Sequence, residues 1–368
     1  METNDVLVKS IGKHSVYKFE LIEHYVEEWA QKLLNNEYCS ELVFIDCMSN
    51  CGEYIYDGSH IYGTPVRVSR LLSKVAEQYP MKKITLYFND FDQNKINYLS
   101  TLLPPIKRNF SIILSTGDGN DLIKELGKEL IRKRNVHYLL IYDPFDANID
   151  WYAIKPFLNR WGEVIINHMA SDPMRAVKVA KTENAINKYE KTYLCPIEEL
   201  LPNASDRATY EKRISEIITT LRTNKREYYI ALFPFFNSKN VFEYDLVFFT
   251  SNIYGFKLFK KKAWKVFKDH SSNKQSKVHT DQYKFDLYND GSRFFEDTDC
   301  YSVNNIVEYI YKSLKGKGKV SLKEVWQLLD EHPIFPSEGY RTEIKTILNK
   351  EYGVEKHKDY LIFKDEEL

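Results

Sequence analysis

The chain has 368 residues, of which 43% are hydrophobic and 28% are charged. At about 150 residues per domain, this length predicts one large domain and a smaller one, and the apolar fraction excludes wholesale disorder. Lys and Arg together number 52, as do Asp and Glu. This balance excludes a highly basic nucleic-acid coat protein, although a local basic patch remains compatible with it.

No segment of the sequence is typical of secretion or of a membrane span. Residues 1–20 are polar, and the longest strongly apolar run, Tyr228–Phe236, is shorter than the roughly 18–20 residues that a span needs. The 5 cysteines are an odd number without paired spacing. We therefore expect a reduced, cytoplasmic protein with no membrane association.

Strands and helices alternate in the first half of the chain. Paired apolar residues recur every four positions in residues 18–35, which predicts an amphipathic helix. A turn-rich segment follows the first strand. Strands are predicted at Glu41–Asp46, Lys83–Phe88, Phe110–Ser115, His137–Asp143 and Glu163–Asn167, and helices at Val66–Tyr79, Gln93–Leu103, Asn120–Arg134 and Trp151–Arg160. This alternation predicts βαβ units and an α/β, doubly wound (Rossmann-like) parallel sheet.

The pattern changes after residue 205. A helix over Asp206–Asn224 precedes two apolar runs, Glu227–Phe236 and Val241–Thr250, which predict a terminal antiparallel hairpin. Five parallel strands closed by a hairpin are the order of elements in class I methyltransferases, although other doubly wound folds share most of it.

The C-terminal part has a different organisation. Residues 271–300 are polar and weakly periodic, which predicts a linker or an irregular excursion. Three helices and a hairpin are then predicted, at Val303–Leu314, Leu322–Asp330, Gly339–Lys350 and Val354–Lys364, which is a winged helix-turn-helix order. The predicted domains are 1–270, a Rossmann domain with an N-terminal helix, and 301–368, a winged helix, with 271–300 between them.

Polar side chains follow the predicted strands, at the edge where doubly wound folds bind ligands. Small residues after the first strand are compatible with a cofactor loop, and Asn50 tolerates the left-handed backbone that usually calls for glycine. An ordinary turn explains the same segment. Asp90 or Asp92 would accept hydrogen bonds from ribose hydroxyls, and Asp90 is favoured because Asp92 fits a helix N-cap. Asp118 would contact an adenine amino group, or lie in a turn before an N-cap at Asn120 or Asp121. The candidate cofactor residues are Asp46, Ser49, Asn50, Gly52, Asp90 and Asp118.

The fourth strand ends in the sharpest local motif, Asp143-Pro144-Phe145. It resembles the motif with which amino-methyltransferases hold a target amine and stack an aromatic ring on a flipped base, although it also occurs in ordinary turns. His168 lies at the same edge, where a core histidine is the alternative. Cys47 and Cys51 lack a third ligand nearby, so no metal site is predicted.

Two lysine clusters are candidates for nucleic-acid contacts, with a solvated helix face and a flexible turn as the alternatives. They comprise Lys257, Lys260, Lys261, Lys262 and Lys265 in the first, and Lys317 and Lys319 in the second. The predicted recognition helix carries balanced charge, which favours binding of protein rather than nucleic acid by the winged helix.

Together, these motifs and their order resemble the three-Cys-motif partner family (TcmP) over about residues 15–270. The carrying segments are Lys18–Trp29, the loop FIDCMSNCGEY, Gly63-Thr64-Pro65, Asp143-Pro144-Phe145, Asn167 with Arg175, and Tyr244–Thr250. The resemblance implies a SAM-methyltransferase-like fold, a winged-helix appendage, a phage-type or defence-type gene context and a partner protein with a radical-SAM-like three-cysteine motif. In the family loop Phe, Ala and Gly stand where this chain has Met48, Ser49 and Asn50.

The leading hypothesis is therefore a SAM-dependent methyltransferase acting on DNA or RNA, at a base amino group. The alternative is a non-catalytic sensor or scaffold that binds a partner protein or nucleic acid through the winged helix. It is motivated by the scarcity of glycine in the cofactor loop and by the balanced charge of the recognition helix. An NAD-dependent oxidoreductase fits less well, because the three-glycine fingerprint is missing.

Overall fold

The computed structural model describes residues 7–222, 227–275 and 299–364. Helices and strands alternate through most of its first 250 residues. In chain order they are β1 (Lys9–Ser10), α1 (Lys13–Leu34), β2 (Glu41–Asp46), β3 (Glu53–Tyr56), β4 (Ser59–Tyr62), α2 (Thr64–Gln78), β5 (Lys83–Asp90), α3 (Gln93–Leu102), β6 (Phe110–Thr116), α4 (Gly119–Leu130), β7 (Val136–Tyr142), α5 (Trp151–Ile154), β8 (Gly162–His168), α6 (Ser171–Ala176), α7 (Glu183–Tyr193), α8 (Ile197–Leu200), α9 (Arg207–Leu221), β9 (Tyr229–Phe236), β10 (Phe242–Thr250) and α10 (Ile253–Val266).

The central sheet has seven strands in the order β6-β5-β2-β7-β8-β10-β9. The first five strands pair in parallel, whereas β10 is antiparallel to both β8 and β9. The chain therefore winds outward in one direction through β5 and β6, and in the other through β7 and β8. This order, with a single reversed strand, is the Rossmann-like arrangement of class I methyltransferases, as the sequence analysis expected.

The strands are apolar on both faces because helices cover both faces of the sheet. Along β2, Leu42 and Phe44 join one hydrophobic cluster, and Val43 and Ile45 join another. The first cluster includes residues of α1, α2 and α10, and the second includes residues of α4, α7 and α9. The polar residues at the strand ends lie at the edges of the sheet, outside these two apolar layers.

One part of the predicted turn-rich segment is instead a β-hairpin. Residues 53–62 form β3 and β4, joined at Asp57-Gly58, and β1 pairs in parallel with β3 to make a three-stranded sheet. Asp57 and Gly58 both have positive φ. An Asp-Gly pair is a favoured hairpin turn, so its signal was present in the sequence. The helices α6, α7 and α8 and the strand β1 were also not predicted, and α10 was named only as the helix-face alternative for the first lysine cluster.

The C-terminal part contains α11 (Val303–Leu314), β11 (Gly318–Ser321), α12 (Leu322–Glu331), α13 (Arg341–Tyr352), β12 (Glu355–Lys356) and β13 (Tyr360–Phe363). Its strands form an antiparallel sheet in the order β11-β13-β12. Its apolar side chains continue the hydrophobic cluster of α1 and α10, with Trp264 packed edge-on against Phe335 and Tyr340.

Most of the predicted linker 271–300 lies outside the described residues, as does the end of the helix predicted over Asp206–Asn224. At the two ends of the linker, Ser271 and Tyr301 are hydrogen bonded, since the Ser271 N–H donates to the Tyr301 carbonyl at 2.9 Å. Among the described helices, none has the length and apolar character that crossing a bilayer requires.

Candidate functional site

The carboxyl ends of the parallel strands surround a cavity of 670 Å³. The direction of winding reverses between β2 and β7, and the crevice outside such a reversal is where doubly wound sheets bind ligands. The loops after β2, β5, β6 and β7 line the cavity, together with α1 and the start of β10. Its volume lies in the range of about 300–1,000 Å³ that is typical of small-molecule sites.

The loop after β2 is held by polar contacts. Asn50 has a φ of 58°, as the sequence analysis proposed for a residue in place of glycine, and it lines the cavity. Ser49 is buried, and its N–H donates to the Asn89 carbonyl at 2.7 Å. Gly52, with a φ of 79°, packs against Val66 and Leu99, where a Cβ would collide. Neither Ser49 nor Gly52 lines the cavity, so their predicted contact with a cofactor is not supported by their position.

Asp90 ends β5 and lies in the cavity wall. One carboxylate oxygen accepts the Asn50 N–H at 3.0 Å, and the other accepts the Asp92 N–H at 3.0 Å and lies 3.4 Å from Lys95 Nζ. The following residue, Phe91, is 82% exposed and also lines the cavity. Asp92 caps α3 through the Asn94 N–H, as predicted.

Asp118 is itself the N-cap of α4, since its side chain accepts the Asn120 N–H at 2.8 Å. The sequence analysis had placed that cap two or three residues later. The next residue must be glycine, because a Cβ at Gly119 would collide with the Cys47 carbonyl oxygen. Asp118, Gly119 and Cys47 all line the cavity. The start of α4 thus presses directly on the end of β2.

Asn89 is a site residue that the sequence analysis missed. Its amide donates to the carbonyls of Cys47 at 3.1 Å and Gly117 at 2.9 Å, and accepts from Ser115 Oγ at 2.9 Å. It therefore ties the ends of β2, β5 and β6 together. The signal in the sequence is its position, because Asn89 directly follows the apolar run of the predicted strand Lys83–Phe88.

Asp143 follows β7, and both of its carboxylate oxygens are occupied. One accepts from Lys18 Nζ at 2.6 Å, and the other accepts from Asn167 Nδ2 at 2.5 Å. A target amine would therefore have to share this carboxylate with Lys18 and Asn167. Pro144 and Phe145 line the cavity with Asp143. Lys18 was not predicted, although it lies on the apolar stripe of α1, an unusual place for lysine.

Phe145 stands at the cavity mouth with 78% of its surface exposed. Two ammonium groups approach its ring, Lys9 at 5.8 Å and Lys95 at 5.7 Å from the centroid. The exposed face of an aromatic ring beside cations fits a flat, electron-rich ligand that also carries negative charge.

Asp46 lies beneath the cavity and does not line it. It is 4% exposed, and burial raises the pKa of its carboxyl to about 7, with Asp143 and Asp90 adding to the rise. The Met48 N–H donates to Asp46 Oδ1 at 3.3 Å. The predicted direct contact of Asp46 with a cofactor is therefore not supported by its position.

His14, one turn before Lys18 on α1, also lines the cavity. Burial lowers the pKa of His14, and the neighbouring charges oppose each other, Glu243 favouring and Lys18 disfavouring the protonated ring. The imidazole is therefore neutral at neutral pH. Its Nδ1 is buried without a hydrogen-bond partner in the parts of the chain that the structure describes.

His168 is a core residue, which was the alternative that the sequence analysis weighed. It is fully buried, its Nε2 lies 2.9 Å from Tyr193 Oη, and burial lowers its pKa to about 3. Across residues 7–222, 227–275 and 299–364 no cluster of three His, Cys, Asp or Glu side chains is placed to hold a metal.

The first lysine cluster lies on α10 and faces other parts of the protein. Lys260 is fully buried, and its Nζ donates to the carbonyls of Leu329, Asp330 and His332 at 2.7, 3.1 and 2.6 Å. Lys257 Nζ lies 3.0 Å from Asp330. The positions of Lys257 and Lys260 do not support their predicted contact with nucleic acid, because both side chains bind the C-terminal part.

The other predicted lysines of the two clusters either pair with a carboxylate or line a surface groove. Lys262 and Lys261 lie 3.0 and 3.9 Å from Glu28, and Lys265 lies 3.3 Å from Asp269. In the second cluster, Lys319 covers the Tyr360 ring at 4.1 Å, and Lys317 and Lys319 line a 540 Å³ groove beside α12. Nucleic-acid binding by these five lysines stays a prediction.

The sequence matches no protein-family model and no curated protein. Among solved structures, it is similar to human methyltransferase-like protein 13 in complex with SAH, with a TM-score of 0.33, 10% identity, and coverage of 74% of this chain and 97% of that chain. A putative caffeoyl-CoA O-methyltransferase from Staphylococcus aureus gives a TM-score of 0.29, 10% identity, and coverage of 61% and 82%. Loganic acid methyltransferase with SAH gives 0.27, 13% identity, and coverage of 70% and 83%. These TM-scores are too low to assign a fold. The fold assignment rests instead on the order and direction of the strands.

Proposed function

We propose that this chain is a SAM-dependent methyltransferase that acts on nucleic acid. The observation that carries the proposal is the 670 Å³ cavity at the winding reversal of a sheet with the methyltransferase strand order. The cavity joins two chemically different ends. Asn50, Asp90 and Asp118 lie at one end, and Asp143 lies with Lys18 at the other.

The first end suits a nucleoside. Asp90 is the acid at the end of the second parallel strand, where ribose hydroxyls are held in such folds. Phe91 offers an open aromatic face for an adenine ring, and Asp118 an acceptor for its amino group. These residues would hold S-adenosylmethionine, whose sulfonium supplies an activated methyl group. The protein would align the acceptor with that group and exclude water.

The nucleic-acid part of the proposal is supported by the cavity mouth. Phe145 would stack on a base, and Lys9 and Lys95 would lie near its phosphates, since both ammonium groups are within 6 Å of the ring. The sequence hypothesis of a base amino group as the acceptor has less support, because Asp143 is already paired with Lys18 and Asn167.

A non-catalytic sensor or scaffold is the second candidate, and one observation favours it. Both oxygens of Asp90 already accept backbone N–H groups, so a ribose would have to share them. In this case the C-terminal elements, whose order is that of a winged helix, would bind the partner. The resemblance to the three-Cys-motif partner family suggests a radical-SAM-like protein in a phage-type or defence-type setting, and DNA or RNA is the other candidate.

Calorimetric titration with SAM and with S-adenosylhomocysteine tests the proposal. Micromolar binding is expected, and Asp90→Asn should weaken it at least tenfold, since removing a hydrogen bond to a charged group costs about 1.5–3 kcal/mol. Asp121→Asn is the matched control, because Asp121 is in the first turn of α4 with 78% of its side chain exposed. Absence of binding up to millimolar ligand would refute the enzyme and favour the scaffold.

A further inference from the structure

The acceptor end of the cavity contains a cation held in place. Lys18 Nζ lies 2.6 Å from Asp143 Oδ2, and its side chain is 10% exposed. Within the described residues, Asp143 is the hydrogen-bond acceptor of this ammonium, which also lies 5.4 Å from the centroid of Tyr244. An ammonium carries three N–H donors, so donors remain for a group that enters the cavity.

Beside this cation lies a free hydrogen-bond acceptor. Asn167 donates through Nδ2 to Asp143, which turns its Oδ1 away. That oxygen is buried and has no partner among the residues described. A buried, unsatisfied carbonyl in a cavity wall costs free energy unless a ligand donates to it. Lys18 and Asn167 thus both bind Asp143, and each keeps hydrogen-bonding capacity in the cavity wall, Lys18 as a donor and Asn167 as an acceptor.

The charge of Lys18 distinguishes between two kinds of methyl acceptor. A neutral amine becomes cationic as it receives the methyl group, so an adjacent ammonium would raise the barrier to that reaction. A hydroxyl loses its proton and develops negative charge, which an ammonium stabilises. The Lys18–Asp143 pair is neutral overall, but the N–H donors that remain on Lys18 can hydrogen bond to an oxygen that develops negative charge and cannot stabilise an amine that becomes cationic. These donors therefore favour oxygen over nitrogen as the acceptor.

The structure also contains a group to receive the hydroxyl proton. His14 lies four residues before Lys18 on α1, so both side chains are on one face of the helix and line one wall of the cavity. Burial lowers the pKa of His14, so its ring is unprotonated and able to act as a base at neutral pH. Two charged groups face the ring. Glu243 stabilises the imidazolium, and Lys18 destabilises it.

We propose that the acceptor is a ribose 2′-hydroxyl of RNA, and that Lys18 and His14 are the residues that act on it. This inference rests on the proposed function. The hydroxyl oxygen forms the new C–O bond with the methyl carbon, the bond from that carbon to the sulfonium sulfur breaks with its electron pair kept by sulfur, and the proton passes to His14. RNA rather than DNA is specified because Phe145, Lys9 and Lys95 suit a nucleotide, and internal DNA nucleotides lack a hydroxyl.

The test uses the full chain with tritiated SAM and two pools of randomised single strands, one of RNA and one of DNA. After digestion to nucleosides, mass spectrometry locates the methyl group. Label is expected on the ribose of RNA nucleosides and not on the DNA pool. Lys18→Met should lower the rate about 100- to 1,000-fold with unchanged SAM affinity, and Lys18→Arg should recover part of it. Lys32→Met, on the same helix with a 51% exposed side chain, is the matched control.

The wild-type product decides the inference even where the Lys18 variants fold poorly. Methyl groups on base nitrogens, or equal labelling of DNA, would overturn the hydroxyl acceptor while leaving the methyltransferase intact. SAM binding without transfer to RNA would overturn the RNA substrate. Absence of SAM binding would overturn the proposed function and this inference together.

Discussion

Replacing Asp46 by asparagine should change the pH dependence of stability in a direction that can be worked out. Burial raises the pKa of this carboxyl from 3.8 to about 7. The folded protein therefore holds a proton that the unfolded chain has lost between about pH 4 and pH 7, and the free energy of unfolding falls as pH rises through that window. Three pKa units at 1.36 kcal/mol each set a ceiling of about 4 kcal/mol.

The Asp46→Asn side chain would not titrate, so the variant escapes this loss. Its side-chain oxygen can still accept the Met48 N–H, but its amide N–H groups lose part of their solvation, at a cost of about 1–3 kcal/mol that is independent of pH. The difference between variant and wild type should thus move in favour of the variant by roughly 3 kcal/mol between about pH 5 and pH 8.

Urea denaturation of both proteins at these two pH values measures that difference, with Asp121→Asn as a surface control. A difference that stays constant with pH would refute the view that Asp46 is a buried acid with a raised pKa. Titration of the same variant with S-adenosylhomocysteine tests whether Asp46 contacts a cofactor. Because Asp46 does not line the cavity, we expect an unchanged affinity.

Three further substitutions probe separate parts of the molecule. Lys260→Met should leave the Leu329 carbonyl and its neighbours without a donor and cost about 2–4 kcal/mol, seen as a lower Tm and faster proteolysis of the C-terminal part, with SAH affinity unchanged. Gly119→Ala should cost about 1–3 kcal/mol and weaken SAH binding in calorimetry, because its Cβ meets the Cys47 carbonyl; an unchanged affinity would contradict this packing. Phe145→Ala should leave the Tm unchanged, since the ring is exposed, yet raise the KM for RNA about tenfold or more through lost stacking.

Much of the fold follows from local sequence because the sheet is buried on both faces. The strand at Glu41–Asp46 was predicted with its true bounds, since a continuous apolar run ends there in an acid. The helix α7 was missed because its apolar positions are few in a polar segment. The β3–β4 hairpin was missed because its two strands have only 4 residues each and lie in a segment rich in turn residues. The Asp57-Gly58 turn between them was therefore not recognised as a hairpin turn.

The sequence pointed only to those residues of the candidate site that follow the strand ends. Asn50, Asp90, Asp118 and Asp143 are found by position, because a parallel sheet brings the carboxyl ends of its strands to one edge. Their partners come from elsewhere. Lys18 is 125 residues from Asp143, and no local pattern in the sequence connects the two. The sequence predicted that Asp143 holds a target amine, whereas in the structure its carboxylate is paired with Lys18. A paired carboxylate and a free one do different chemistry.

The lysines show why a run of charge in a sequence does not by itself locate a binding surface. Two lysines of the cluster on α10, Lys257 and Lys260, bind the C-terminal part. Burial lowers the pKa of Lys260 to about 7, and its ammonium donates to three carbonyls there. Lys9, Lys18 and Lys95, which are scattered along the chain, are instead the cations grouped around the cavity and its mouth. An isolated buried ammonium is costly, and the two largely buried lysines of this group, Lys18 and Lys95, each have a carboxylate within reach. The cations around the cavity therefore come from α1, β1 and α3, which the fold brings to one edge of the sheet, and the proposed nucleic acid would approach them over Phe145.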